Sequence, residues 1–124
     1  MEKYLYIGAG GFIGSVCRYG LASILYKMLG DRFPYGTFAV NVIGCFTIGL
    51  LMTLFEERWL VQPEVRLFLT VGILGGFTTF STFSYETIEI LRAGNFSVGF
   101  INILGSILFC LGATWAGSIV GKLV

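Results

Sequence analysis

Long uncharged stretches alternate with short charged ones along this sequence. A membrane-spanning helix needs about 20 mostly apolar residues. Three of the stretches reach or nearly reach that length alone, and two shorter ones join into a fourth span if Arg18 is tolerated inside it. The uncharged runs are Tyr4–Cys17, Tyr19–Tyr26, Phe33–Phe55, Leu67–Tyr85 and Ala93–Gly121. The pattern predicts an all-α membrane protein, one domain over residues 1–124, with transmembrane helices at about 4–26, 33–55, 67–91 and 96–121.

The composition supports a membrane protein and argues against several other classes. Charged residues make up 12% of the chain, whereas soluble domains carry about 25%. Histidine is absent and all three cysteines fall inside predicted spans, which argues against a disulfide framework and a zinc site. A net charge of +1 does not suggest a nucleic-acid partner. Arg18 interrupts the first apolar segment and no clear cleavage pattern follows, so we expect an uncleaved first helix.

The cations of the predicted loops are divided almost evenly between the two sides of the membrane. Membrane proteins normally concentrate Lys and Arg in cytoplasmic loops. Here one side would carry Lys3, Arg58, Arg66 and Lys122, and the other would carry Lys27, Arg32 and Arg92. Two interpretations are open: a single, weakly biased orientation, or insertion of copies in both orientations. The second would permit an antiparallel dimer.

Glycines in the first and fourth spans indicate close helix packing. Residues 8–15 read GAGGFIGS, but Ile13 stands where a dinucleotide-binding loop needs its third glycine, and the segment is an apolar span. Gly10 and Gly14 instead form a small-xxx-small pair that lets two backbones approach closely. Gly117 and Gly121 repeat the spacing in the fourth span.

A few polar side chains lie within the predicted spans. Arg18 either reaches the lipid headgroups or stands at the mouth of an aqueous vestibule. Asn41 either forms an interhelical hydrogen bond or donates to a passing anion. The fourth span carries a slanting row spaced four residues apart, which is either packing glue or a polar track. Its members are Asn102, Ser106, Cys110 and Thr114.

The stretch GGFTTFSTFS, residues 75–84, predicts a break in the third helix. Gly75 and Gly76 lower helix propensity, and the hydroxyls that follow compete for backbone hydrogen bonds. The freed carbonyls cannot face lipid, and they are suitable ligands for Na⁺, as in transporters with discontinuous helices. Phe80 and Phe83 share a face of the continuing helix. Their positive ring edges either contact an anion or simply pack in core or lipid.

Three segments together resemble a known family: GGFTTFSTFSYE (75–86), GTFAVNVIGCF (36–46) and a glycine-rich first helix ending in CRY (17–19). They closely resemble the small bacterial fluoride channels, the Fluc or CrcB family, and the resemblance covers essentially the whole chain. It implies an antiparallel, dual-topology homodimer with two pores and a central Na⁺.

The resemblance also implies roles for individual residues. The backbone carbonyls of Gly75 and Thr78 match those that hold the structural Na⁺. The matching pore positions are Asn41, Phe80, Phe83, Ser106 and Thr114. Vestibule or pore-lining positions are Ser81, Thr82, Glu86 and Arg18. The row departs from the family at two places: Asn102 stands where an aromatic hydroxyl is common, and Cys110 stands where serine is more usual.

The expected function is passive fluoride export through the bacterial inner membrane, which relieves fluoride toxicity and is not enzymatic. The alternative is a small multidrug-resistance exporter, which also has four spans. That family uses a glutamate within its first helix, and residues Tyr4–Tyr26 contain no acid. A noncatalytic assembly subunit would need no polar interior, and the Asn41, Thr78 and Ser106 series argues against it. No nucleophile, base and metal-ligand set converges, which argues against a membrane enzyme.

Overall fold

The computed structural model describes the whole chain, Met1–Val124, and it is helical nearly throughout. It contains no strand, so the all-α prediction is confirmed. The elements in chain order are α1 (Glu2–Leu29), α2 (Tyr35–Glu57), α3 (Pro63–Leu67), a π-helical segment (Phe68–Leu74), α4 (Gly75–Phe77), α5 (Phe80–Arg92) and α6 (Phe96–Leu123). The largest difference from the predicted bounds is at the third helix, which begins at Pro63 instead of residue 67.

The turns between the helices follow from local backbone chemistry. Gly30 ends α1 with φ 85° and Gly94 follows α5 with φ 87°, a region that favours glycine. Gln62 is extended, with ψ 147°, and Pro63 occupies the start of α3, where a missing N–H costs no helical hydrogen bond. These three turns lie in the gaps between the predicted spans.

Three helical segments are long and apolar enough to cross a membrane: Tyr35–Glu57, Pro63–Arg92 and Phe96–Leu123. The first helix, α1, has 28 residues. At 1.5 Å per residue it is about 42 Å long, against a hydrocarbon core of about 30 Å. Its length therefore permits a crossing, but the fourth membrane span stays a prediction.

The third helix is broken, as the sequence predicted. The break lies at Thr78 and Thr79, just after the glycine pair. Both residues are extended, with ψ 157° and 122° respectively. The helix restarts at Phe80 because the Thr79 hydroxyl accepts a hydrogen bond from the Thr82 backbone N–H at 3.1 Å. The π-helical segment before the break was not predicted; such segments often occur at functional sites.

Glycines form the closest helix contacts, which confirms their predicted packing role. A Cβ on Gly10 would lie 2.9 Å from the Gly72 Cα of the π-helical segment, and one on Gly14 would collide with the Ile73 carbonyl. Between α2 and α6, a Cβ on Gly117 would collide with the Phe46 carbonyl, and one on Gly121 would lie 2.9 Å from Thr53 Cβ. Two tight helix pairs, α1 with the π-helical segment and α2 with α6, therefore form the frame of the fold.

Few residues are enclosed within the single chain. Only 19 of 124 residues are buried, and the buried polar side chains are as prominent as the apolar ones. Asn102 of α6 is 1% exposed and donates to the Thr87 hydroxyl of α5 at 2.9 Å. Most large apolar side chains point outward, so the chain has an extensive apolar surface for lipid or for a protein partner.

Candidate functional site

A groove of ≈ 260 Å³ runs between α2, the helix break and α6. We call it the Asn41 groove. Its lining residues are Asn41, Cys45, Thr78, Thr79, Phe80, Phe83, Ser106, Ile107 and Cys110. Four of the predicted pore residues, which lie far apart in the sequence, are therefore placed together on one surface: Asn41, Phe80, Phe83 and Ser106.

Asn41 is bound to the backbone of the helix break. Its Oδ1 accepts from the Thr79 N–H at 2.8 Å, and its Nδ2 donates to the Thr79 carbonyl at 3.0 Å. The predicted interhelical hydrogen bond therefore exists, but to backbone atoms. An amide carries two N–H donors, so one remains for a ligand in the groove.

Phe80 and Phe83 form a ring pair at the edge of the Asn41 groove. Their centroids are 5.4 Å apart and the ring planes are inclined by 42°. Phe80 is 78% exposed in the single chain. Two rings with positive edges thus lie beside the Asn41 amide, and one of them is not covered by the chain's own residues.

Ser106 is placed in the groove by a buried hydrogen-bond chain. Its hydroxyl donates to Asn102 Oδ1 at 3.1 Å, while the Asn102 amide donates to Thr87. Asn102 therefore links α6 to α5 by a hydrogen bond and orients Ser106. Cys110, one turn further, also lines the groove.

Three of the predicted residues lie outside the Asn41 groove. The Thr114 hydroxyl donates to the Cys110 carbonyl of its own helix at 3.1 Å, and its backbone contacts Gly49. Ser81 is exposed, and its hydroxyl pairs with that of Thr79 at 3.3 Å. Thr82 lines a different cavity. The polar row of α6 therefore enters the groove only through Ser106 and Cys110.

The second cavity, of ≈ 320 Å³, is lined by Arg18 and Glu86, both predicted at the vestibule, and we call it the Glu86 cavity. Its other lining residues include Tyr26, Thr37, Thr79 and Thr82. The Glu86 carboxylate accepts hydrogen bonds from the Tyr26 hydroxyl at 2.6 Å and from the Thr37 hydroxyl. Thr79 lines both cavities, so both border the helix break.

Arg18 of α1 contacts the helix break. Its Nε donates to the Gly76 carbonyl at 3.0 Å. Arg18 and Glu86 line the same cavity but form no salt bridge with each other. The guanidinium therefore satisfies one of the carbonyls that the break frees, and its remaining donors can meet an anion.

The two carbonyls predicted to hold a cation lose the N–H partners that a continuous helix would give them. The Thr79 N–H, which would bond to the Gly75 carbonyl in a continuous helix, bonds to Asn41 instead. The Thr82 N–H, which would bond to Thr78, bonds to the Thr79 hydroxyl. No side-chain hydrogen bond, and no backbone hydrogen bond outside the helices, reaches the Gly75 or Thr78 carbonyl. Both residues line a small cavity of ≈ 200 Å³ beside Gly44 and Thr70. Free carbonyl oxygens fit a hard cation such as Na⁺.

Sequence reasoning missed several residues of the site, among them Cys45 and Ile107 of the groove wall. Thr79 lines both cavities, and its position just after the glycine pair was the only sequence feature that pointed to it. Tyr26 and Thr37 hold Glu86. No sequence pattern indicates this contact, because it arises when α1, α2 and α5 pack together.

Comparison with known proteins agrees with the resemblance in the motifs. The family model described as CrcB-like protein, Camphor Resistance (CrcB), matches residues 5–118. A protein of Geotalea daltonii named fluoride-specific ion channel FluC is 50% identical over 117 residues, which cover 94% of each chain. Proteins of the same name from Geotalea uraniireducens and Geobacter sulfurreducens are each 49% identical over 122 residues, 98% of each chain. The chain therefore belongs to the CrcB-like family.

Proposed function

We propose that this chain is a fluoride-selective channel that exports F⁻ passively from the cytoplasm and relieves fluoride toxicity. The observation that carries the proposal is the meeting of Asn41, Phe80, Phe83 and Ser106 on one groove, in a chain half identical to proteins named fluoride-specific ion channels. In a mildly acidic environment, fluoride crosses the membrane into the cell as neutral HF. The HF then dissociates in the cytoplasm. The trapped anion then needs a path down its own gradient.

The groove chemistry suits a small, strongly hydrated anion. A pore for such an ion must replace its water shell with fixed donors. The second Asn41 N–H and the edges of the Phe80 and Phe83 rings can do so without offering a competing acceptor. The Ser106 proton is already donated to Asn102, so Ser106 contributes only if its hydroxyl rotates toward the ion. Arg18 and the polar wall of the Glu86 cavity attract the anion toward the break.

We propose that a second, antiparallel copy completes the pore. The Asn41 groove lies open along the surface of a single chain, and Phe80 at its edge is 78% exposed. A conducting pathway through a bilayer must be closed off from lipid. The nearly even division of Lys and Arg between the two sides supports insertion in both orientations. We place this homodimer, with all four helices of each copy spanning, in the bacterial inner membrane.

We further propose a structural Na⁺ at the centre of the dimer, held by the carbonyls of Gly75 and Thr78. Two copies would supply four such oxygens. When bound, the ion would join the two helix breaks and add positive potential beside the anion pathway. The chain's own contribution is to keep these carbonyls free, because Asn41 and the Thr79 hydroxyl take the N–H donors that would otherwise bond to them.

Efflux from liposomes tests the proposed function directly. Purified protein is reconstituted into vesicles loaded with potassium fluoride or potassium chloride, and efflux is started with valinomycin and followed with an ion-selective electrode. We expect rapid fluoride efflux and chloride efflux close to that of protein-free vesicles. Fluoride efflux no faster than from protein-free vesicles, with the protein folded and inserted, would refute the proposal. Equal rates for both anions would refute selectivity.

A further inference from the structure

Two thiols stand on the wall of the Asn41 groove, and the proposed anion pathway does not use them. Cys45 belongs to α2 and Cys110 to α6, and both are free and half-buried. Both line the groove, beside Asn41 and Ser106. The third cysteine, Cys17 of α1, is exposed and lies outside the groove. The groove therefore contains two of the chain's three thiols.

The packing of α2 and α6 places the two thiols at the same level. The two helices run in the same direction, because their contacts ascend together from Gly49 with Thr114 to Thr53 with Gly121. Cys45 lies one turn before Gly49, and Cys110 lies one turn before Thr114. Residues four apart share a helix face, so both side chains point into the same interface. Both residues also line the same groove.

We propose that Cys45 and Cys110 form a two-thiol site for a soft metal cation of the Hg²⁺ class, and that occupancy of this site blocks the Asn41 groove. Sulfur ligands select soft cations over hard ones. Two thiols on the wall of one groove suit a cation that prefers two-fold coordination. With HgCl₂ as the source, two S–H bonds break, two Hg–S bonds form, and two protons and two chloride ions are released. No oxidant or reductant is needed.

The position of the site explains why an ion there would block the groove. The metal would lie on the same wall as Asn41 and Ser106, in a space of ≈ 260 Å³. This effect on flux rests on the proposed function, whereas binding of the metal does not.

The experiment separates binding from flux by using a Cys17→Ala background, in which only the two groove thiols remain. Detergent-purified protein is titrated with HgCl₂, and binding is followed by the ultraviolet mercury–thiolate absorption and by counting free thiols. We expect one Hg²⁺ per chain and loss of both thiols. Adding Cys45→Ala or Cys110→Ser should weaken binding by more than the roughly 10- to 100-fold typical of losing an outer-shell partner.

Flux is then measured in proteoliposomes of the same variants. In the Cys17→Ala background HgCl₂ should reduce fluoride efflux to the protein-free rate, and excess dithiothreitol should restore it. Unchanged affinity in both single-thiol variants, or two Hg²⁺ bound per chain, would overturn the two-thiol site. Tight binding with undiminished efflux would overturn the block. A protein that binds Hg²⁺ as expected but shows no fluoride efflux even before the metal is added would count against the proposed function and not against the site.

Discussion

The side-chain amide of Asn41 bonds to both backbone polar groups of Thr79, accepting from its N–H at 2.8 Å and donating to its carbonyl at 3.0 Å. The contact joins α2 to the point where the third helix is broken. It gives the Thr79 N–H the hydrogen-bond partner that the broken helix does not provide. The Gly75 carbonyl thereby loses the N–H that would bond to it in a continuous helix. Asn41 is therefore part of the support of the break as well as a lining residue of the groove.

Removing the Asn41 amide should destabilise the break. Asn41→Ala leaves the Thr79 N–H without a partner, which costs about 1–3 kcal/mol for a buried group. We expect a lower melting temperature in detergent and a loss of fluoride flux per folded protein. Thr47→Val is the matched control, because the Thr47 hydroxyl bonds only to its own helix, at the Ile43 carbonyl. An Asn41→Ala protein as stable as the Thr47→Val protein would contradict the supporting role.

Two glycines of α1 should respond in opposite directions to alanine. A Cβ on Gly14 would meet the Ile73 carbonyl backbone, whereas one on Gly8 would have nothing within 4 Å. Gly14→Ala should therefore cost about 1–3 kcal/mol through overpacking. Gly8→Ala should be neutral or stabilising, by about 0.5–1 kcal/mol, because alanine favours helix. Unfolding of both variants in the same detergent measures the difference. Equal shifts of the same sign would mean that the contact of α1 with the π-helical segment is not tight.

The helices and the break could be predicted because their causes are local. Apolar runs bounded by Gly30, Pro63 and Gly94 fix the helices, and a glycine pair followed by hydroxyl residues fixes the break. The break lies at Thr78 and Thr79, after the glycines, because the Thr79 hydroxyl and the Asn41 amide take over its hydrogen bonds. The glycines themselves remain helical.

The contacts around the break could not be predicted because their partners come from other helices. Arg18 has an apolar environment in the sequence, and nothing there indicates the Gly76 carbonyl, 58 residues away, as its acceptor. Thr114 has the same spacing as Ser106, yet only Ser106 lines the groove. A row of residues four apart drifts around its helix by about 40° per step, so its far end turns toward Gly49 of α2. Sequence spacing alone does not show at which residue the row leaves the groove.

A sodium ion held by backbone carbonyls should tolerate a change of side chain at Thr78. Thr78→Ser keeps the carbonyl and the hydroxyl that donates to Leu74, and it loses only the methyl group that contacts Gly44. Replacing Na⁺ by N-methylglucamine should lower the melting temperature, since a bound ion stabilises the folded state. Thr78→Ser should show the same drop as the unmodified chain. Thr79→Ala should lower the stability by about 1 kcal/mol in both cations, because it removes the cap of α5. Its melting temperature should therefore be lower in both. A melting temperature indifferent to Na⁺ would count against the ion.

Copies of the chain should be found in both orientations in the membrane. The loop cations number four on one predicted side and three on the other. Loop charge therefore favours neither orientation of the chain in the membrane strongly. Single cysteines at Asp31 and at Leu60, in a chain lacking its native cysteines, would lie in the first and second turns. We expect each to be labelled by an impermeant maleimide from both faces of the membrane, about equally. Labelling of each site from one face only would rule out dual topology, and with it the antiparallel dimer.

The ring edges of Phe80 and Phe83 should matter for transport more than their volume does. Isoleucine keeps much of the bulk but removes the positive edge, so Phe80→Ile and Phe83→Ile should each reduce fluoride flux severely while the protein still assembles. If the rings were only packing groups, the change would cost about 1–2 kcal/mol of stability and spare transport by the protein that folds. Phe12→Ile is the matched control, because Phe12 is an exposed phenylalanine of α1 outside both cavities. Flux is compared per folded protein, after size-exclusion chromatography. Near-normal efflux from both groove variants would show that these phenylalanines face core or lipid and do not line the anion pathway.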